Sequence, residues 1–188
     1  MKGNGHFRKI AGNNPGRSVF DLSYVETFTC EMGQIIPVMV DEVVPGDKFS
    51  IGVQQLLRMQ PLVAPVMHEM YVRTYYFFCP NRLTMDEKEW EIYITGGPDG
   101  DGTDGEGGPV ITEPRWTPSS TAVGSLWDYF GFPIGVTPTG RLPTHLPVRA
   151  YNLIYNEYLR DQNLIDPVDI ETSEVIHKCG GIVTGKPK

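Results

Sequence analysis

"PVMHEMYVRTYYFFC", residues 65–79, decides the fold class. Val66, His68, Met70, Val72, Thr74, Tyr76 and Phe78 alternate with Met67, Glu69, Tyr71, Arg73, Tyr75 and Phe77. Alternation with period two is what a β-strand requires, because successive side chains leave its opposite faces. The first set is mostly apolar or aromatic; the second carries both charges among aromatic residues and Met67. A strand apolar on both faces belongs inside a packed assembly, between sheets or against a neighbour. His68 lies in this strand and reads as a core or interface histidine rather than a catalytic base.

Upstream the same character continues. "SVFDLSYVETFT" (18–29) mixes β-branched and aromatic residues with polar ones and reads as a strand. "QIIPVMVDEVV" (34–44) is apolar, but Pro37 cannot donate to a ladder, which places it on an edge or at a bulge. "PGDK" (45–48) is a turn, and "FSIGVQQLLRMQ" (49–60) has a period that fits either a strand or a strand entering a helical turn. Residues 1–17 are rich in Gly, Asn and basic side chains and read as an irregular arm.

Downstream, "TMDEKEWEIYI" (84–94) is a short helical or extended piece with its acids placed early, as a helix start prefers. Residues 95–148 show little periodicity and many prolines, with an aromatic cluster "SLWDYFGFP" at 125–133. "RAYNLIYNEYLRDQN" (149–163) is the one clear α-helix: Tyr151, Ile154, Tyr155, Tyr158 and Leu159 share a face, while Asn152, Asn156, Glu157, Arg160 and Asp161 point elsewhere. Asn163 serves as its C-terminal cap.

Composition agrees with a mainly β chain. Glycine and proline total 37 of 188 residues (21 + 16), a load that favours turns and irregular loops. Apolar content of 40% and charge of 21% describe a globular protein. Cys30, Cys79 and Cys179 form no CxxC pair and read as reduced thiols, and the N-terminus has no apolar signal region. The densest apolar runs are too short to cross a bilayer, so no membrane insertion is expected. The net charge of −7 is uneven: Lys2, Arg8, Lys9 and Arg17 precede the first acid, so the first twenty residues carry +4 and the remainder −11 (12 basic, 23 acidic). Such an arm is either a loose, solubilising terminus or a phosphate-binding one.

Tests for chemistry return little. "GGPDGDGTDGEGGP" (96–109) holds four carboxylates and seven glycines. Read as an EF-hand from Asp99, it has Asp104 where Gly is needed and Val110 where Glu is needed. The nonapeptide of a calcium β-roll would have to recur, and it does not. A charged surface loop is the simpler reading, with weak calcium binding as the alternative. "HKC" (177–179) sets a His and a Cys two apart without a second pair for a tetrahedral metal site. GxSxG, HExxH and P-loop motifs are absent, and Cys79 closes an apolar strand where cysteine behaves as a small hydrophobe. No enzyme, metal or cofactor is expected, although sequence alone leaves a Cys–His pair open.

Taken together, "RSVFDLS" (17–23), "GQIIPVMVDEVVPGD" (33–47), "YFFCPNRL" (76–83), "SLWDYFGFP" and "RAYNLIYNEYLRDQNL" (149–164) resemble, in order, the major capsid protein of small icosahedral single-stranded DNA phages, the Microviridae, and especially the gokushovirus branch. The resemblance covers residues 6 to about 176 and reads as the N-terminal part of that protein. It implies a viral jelly roll, an eight-stranded antiparallel β-barrel or sandwich with long loop insertions and one helix. In it, 34–44 and 65–79 would be barrel strands and 95–163 inserted, inter-subunit material rather than a second core. The implied organisation is a basic arm at 1–17, a partial jelly-roll domain at 18–178 and an atypical tail at 179–188, "CGGIVTGKPK", where the family continues into further strands.

The implied function is a structural subunit of a T=1 capsid of sixty copies around circular single-stranded DNA. Its partners would be other copies of itself, other virion proteins, the packaged DNA and a host surface receptor. It would be made in the bacterial cytoplasm and end in the virion. Lys2, Arg8, Lys9 and Arg17 become DNA-contact candidates, and Trp127, Tyr129, Phe130, Tyr151, Tyr155 and Tyr158 subunit-interface candidates. The rival readings are a stand-alone β-sandwich module binding calcium or carbohydrate through 96–109, and a cysteine-dependent enzyme.

Overall fold

A computed structural model describes residues 16, 18–65, 67–96, 114–140 and 142–179. Its ordered elements are helical. A 3-10 turn, Asn81–Leu83, leads into α1, Glu87–Thr95; α2 is Leu126–Tyr129; α3 is Leu146–Ile154 and runs on as a π-turn, Tyr155–Leu159.

Each helix has a local cause. Asp86 caps α1 by accepting from the Glu89 N–H at 2.6 Å, and the Glu89 carboxylate reaches back to the Asp86 N–H, a complete capping box. Ser125 caps α2, and the Asp128 carboxylate accepts from Gly124 N–H at 2.7 Å. This short helix stops in a Schellman arrangement. Gly131, at φ 80°, donates to the Asp128 carbonyl and Phe132 donates to the Trp127 carbonyl, both at 2.9 Å. The Trp127 and Phe132 rings then meet edge to face, 5.8 Å between centroids. Helix α3 begins three residues before the expected start, because Pro147 sits in the first turn, where a missing N–H costs nothing. Its end is the π-turn, with Arg160 N–H donating to the Tyr155 carbonyl at 2.8 Å, so Asn163 is not its cap.

The jelly-roll expectation is corrected here. Among the described residues there is no sheet and no barrel; the only β-pairings are two isolated antiparallel bridges, Gln34 with Lys178 and Arg115 with Thr144. Segments 18–29, 49–60 and 67–79 are free of helix and of β-pairing, and 34–44 is paired only at Gln34. Period-two alternation reports that a chain is extended, not that a neighbour is in register. The sequence supplied the first condition only, and Pro37, Pro45, Pro61 and Pro65 each remove a ladder donor.

Most of the described apolar core lies within the segment read as inserted material, 95–163. Leu126, Trp127, Val148 and Tyr151 form the buried apolar cluster, flanked by Ile35, Trp116, Phe130, Phe132 and Ile176. Three helices rather than one build the described fold.

Candidate functional site

Helix α3 is the hub. Its buried face is Val148, Arg149, Tyr151, Asn152, Tyr155 and Asn156, so the two asparagines expected to point elsewhere are inside. Asn152 is 0% exposed. Its Nδ2 donates to the carbonyls of Ser173 (2.8 Å) and Ile170 (3.3 Å). Its Oδ1 faces His177 Nε2 at 3.1 Å, which requires the Nε2–H tautomer of that ring. Asn156 holds Val168 at both ends, donating to its carbonyl at 2.7 Å and accepting from its N–H at 2.9 Å. Two side-chain amides thus do for the irregular segment 168–173 what a neighbouring strand would do.

The Tyr151 hydroxyl joins two distant stretches. It accepts from the His177 N–H at 2.8 Å and donates to the Ile35 carbonyl at 2.9 Å. Beside it Ile35 N–H donates to the His177 carbonyl (2.9 Å) and Cys179 N–H to the Gly33 carbonyl (2.7 Å). Gly33 has φ 83°, a left-handed value that turns the chain into this pairing. Burial pushes the Tyr151 phenol far above the ordinary tyrosine range.

Arg149 ties α3 to α1. It is 5% exposed, forms a two-pronged ion pair with Glu89 and donates to the Thr84 carbonyl at 3.1 Å. Glu89 therefore serves the α1 cap and the interhelical pair together.

Two histidines are enclosed. His177 stacks on Tyr155 (3.9 Å between centroids, 14°) and Tyr151 (5.1 Å, 10°). Burial lowers it to about 4. His145 is 0% exposed, stacked against Trp116 at 5.1 Å and Trp127 at 6.0 Å. Burial, then the Arg149 cation, lower it to about 4 against an opposing pull from Glu174. Both rings are neutral at pH 7.

The second feature is exposed. Of the 37 large apolar residues exposed among those described, 28 lie between Val19 and Phe78. Val19 is 99% exposed, Val25 91%, Met67 92% and Phe78 76%. His68, expected in a core or interface, is exposed and lines an open groove with Met59, Leu62, Pro65 and Met70. Side chains link some of these stretches: Gln55 Nε2 donates to Thr74 Oγ1 at 2.6 Å, and Phe77 packs on Tyr158 at 5.1 Å. This is a bare apolar surface beside a finished small core.

Of the six interface candidates, Trp127, Tyr151 and Tyr155 are buried within this chain, Tyr129 and Phe130 are half-buried, and Tyr158 is 71% exposed. Tyr129 hydroxyl donates to the Thr29 carbonyl at 2.7 Å and its ring meets Phe28 edge to face. Lys2, Arg8, Lys9 and Arg17 lie outside the described residues, as does 97–109 of the acidic loop. Among the described residues no group of three or more His, Cys, Asp or Glu could hold a metal ion, and no helix is long and apolar enough to cross a membrane. Burial raises the Cys79 thiol, the opposite of what a thiolate nucleophile needs. Sequence reading missed Asn152, Asn156, Arg149, Glu89 and His145. The asparagines were legible in principle, one position after Tyr151 and Tyr155 on the same stripe, and Asp86 with Glu89 has capping-box spacing.

Residues 8–181 match the family described as capsid protein (F protein). The chain belongs to that family. Capsid protein VP1 of Chlamydia phage 1 is 39% identical over 164 residues, covering 84% of this chain and 26% of the relative. Capsid protein VP1 of Bdellovibrio phage phiMH2K is 36% identical over 167 residues (87% and 30%), and that of Spiroplasma virus 4 is 29% identical over 160 residues (84% and 28%). The chain thus spans between about a quarter and a third of the length of these curated relatives. No solved structure matches.

Proposed function

We propose that this chain is a structural capsid component that works by association and without catalysis. The exposed apolar stretch from Val19 to Phe78 carries this reading: its side chains leave water only when other polypeptide covers them. The partners are other copies in a T=1 shell, other virion proteins, the enclosed single-stranded DNA and a host receptor, and the place of action is the virion. Tyr158, with the exposed edges of Tyr129 and Phe130, contributes to subunit contacts. Lys2, Arg8, Lys9 and Arg17 neutralise packaged phosphate without reading sequence.

Sedimentation velocity and negative-stain electron microscopy of the purified chain test this. The expected result is association that rises with concentration and with salt, as apolar contacts dictate. A strictly monomeric chain at every concentration and salt would overturn it.

A further inference from the structure

We propose that His145 and His177 form an acid-opened latch on the two long-range pairings that close the helical unit. Each histidine sits inside one pairing. The His177 carbonyl accepts from Ile35 N–H at 2.9 Å, within the bridge of Gln34 and Lys178. The His145 N–H donates to the Pro114 carbonyl at 2.8 Å, beside the bridge of Arg115 and Thr144. Each imidazole is carried by a residue whose own backbone joins segments far apart in sequence.

Both rings are built into sites hostile to positive charge. His145 lies between Trp116 and Trp127, and neither of its nitrogens has a hydrogen-bond partner among the described residues. Arg149, one turn along α3, already places a buried cation there. The carboxylate that opposes it is Glu174, whose Oε2 is engaged by the Ser119 N–H and hydroxyl. His177 faces Asn152 Oδ1 through one nitrogen and the flat faces of Tyr151 and Tyr155. A second ring proton would lie in the imidazole plane, and its charge would sit in a largely buried site.

The sign follows from where the proton goes. Both histidines titrate at about 4 when closed, whereas an open chain takes up protons at the ordinary 6.5. The open form therefore binds more protons between pH 6.5 and 4, and the closed form loses stability on acidification across that window. Each histidine contributes up to about a tenfold change in the closing equilibrium per pH unit. Opening at His177 breaks its bond with Ile35 N–H and loosens residues 33–35 against the α3 unit. This latch does not depend on the capsid reading.

The test uses the whole chain, followed by near-UV circular dichroism and histidine-ring NMR from pH 8 to 3.5, beside His145→Phe and His177→Phe. The phenylalanines keep the stacks and remove the titration. The wild type should lose its near-UV signal cooperatively between pH 6.5 and 4, with both rings protonating in the same step. Each variant should open at a lower pH with about one proton fewer taken up. An imidazole that titrates near 6.5 with the near-UV signal intact would overturn the latch, as would variants opening at the wild-type pH. Should the variants not fold at pH 7.5, amide-exchange protection of Ile35 and His145 in the wild type decides. Loss of protection in step with ring protonation supports the latch, and protection persisting to pH 4 sinks it.

Discussion

Replacing Asn152 with alanine should unlock segment 168–173 without touching an apolar contact of the core cluster. The side chain is fully buried and makes three hydrogen bonds, to the carbonyls of Ile170 and Ser173 and to His177 Nε2. Truncation leaves these groups without their partner. A buried polar atom stripped of its partner costs about 1–3 kcal/mol, and the two carbonyls, close to the surface, recover part of that from water. About 2–4 kcal/mol is the resulting loss. For a cooperative unit of this size each kcal/mol moves the melting temperature by about 4–8 °C, so a drop of 10 °C or more is expected. Urea unfolding followed by the fluorescence of buried Trp127 reads the free energy directly, with Asn163→Ala as an exposed control expected within about 0.5 kcal/mol. Asn152→Asp refines the assignment: it keeps the shape and the Oδ1 acceptor but turns the Nδ2 donor into an oxygen facing two carbonyls. It should cost at least as much as alanine at pH 7. A loss below 0.5 kcal/mol in Asn152→Ala would mean that the amide does not hold this segment, and the account of α3 as the hub would fail.

The other predictions are briefer. Tyr151→Phe removes both bonds of the hydroxyl, so the His177 amide should lose exchange protection and stability should fall by about 1–3 kcal/mol. Arg149→Met leaves Glu89 half-buried and unpaired at the α1 junction; a loss of about 2–4 kcal/mol in thermal unfolding is expected, larger than the roughly 1 kcal/mol from removing the α1 cap with Asp86→Ala. Val72→Asp with Phe78→Asp should leave urea unfolding of the helical unit unchanged within about 0.5 kcal/mol and shift sedimentation toward smaller species. If the arm contacts DNA through four cations, fluorescence anisotropy on a single-stranded oligonucleotide should give a log–log salt slope of about −2.8, vanishing when Lys2, Arg8, Lys9 and Arg17 become glutamine.

What could be read in the residues divides cleanly by range. The capping box of Asp86 and Glu89, the Ser125 cap, the stop at Gly131 and the Tyr151–Tyr155 stripe are encoded within five residues of where they act. The early acids of 84–94 and the Tyr151–Tyr155 stripe were read from the sequence; the capping box and the Ser125 cap were legible in it but not read. The pairing of extended segments is not local, because a strand's partner is a second sequence and its register a third fact. Segment 65–79 announced its alternation and nothing about what lies beside it. The asparagines were lost for a different reason: apolar periodicity scores Asn152 as polar and so as exposed, while the helix uses it as a hydrogen-bonding strut. His145 was invisible because nothing in its neighbours' identity tells that two tryptophans will close over it.

The same contrast bears on how the chain must work. Half-burying a valine, leucine or phenylalanine is worth on the order of 1 kcal/mol, so the 28 large apolar residues left in water between Val19 and Phe78 represent a deficit on the order of tens of kcal/mol. Folded domains are stable by only about 5–15 kcal/mol. The α3 unit caps its neighbouring helices, pairs Arg149 with Glu89 and satisfies its two asparagines inside one chain. The extended stretch leaves most of its large apolar side chains uncovered. The extended stretch has no meaningful order apart from what it binds, and its amide-exchange protection should rise with the chain's own concentration or with added partner. On the capsid reading proposed above, that coupling makes the chain a small rigid anchor, fixed by local rules, carrying a surface whose structure is completed by association.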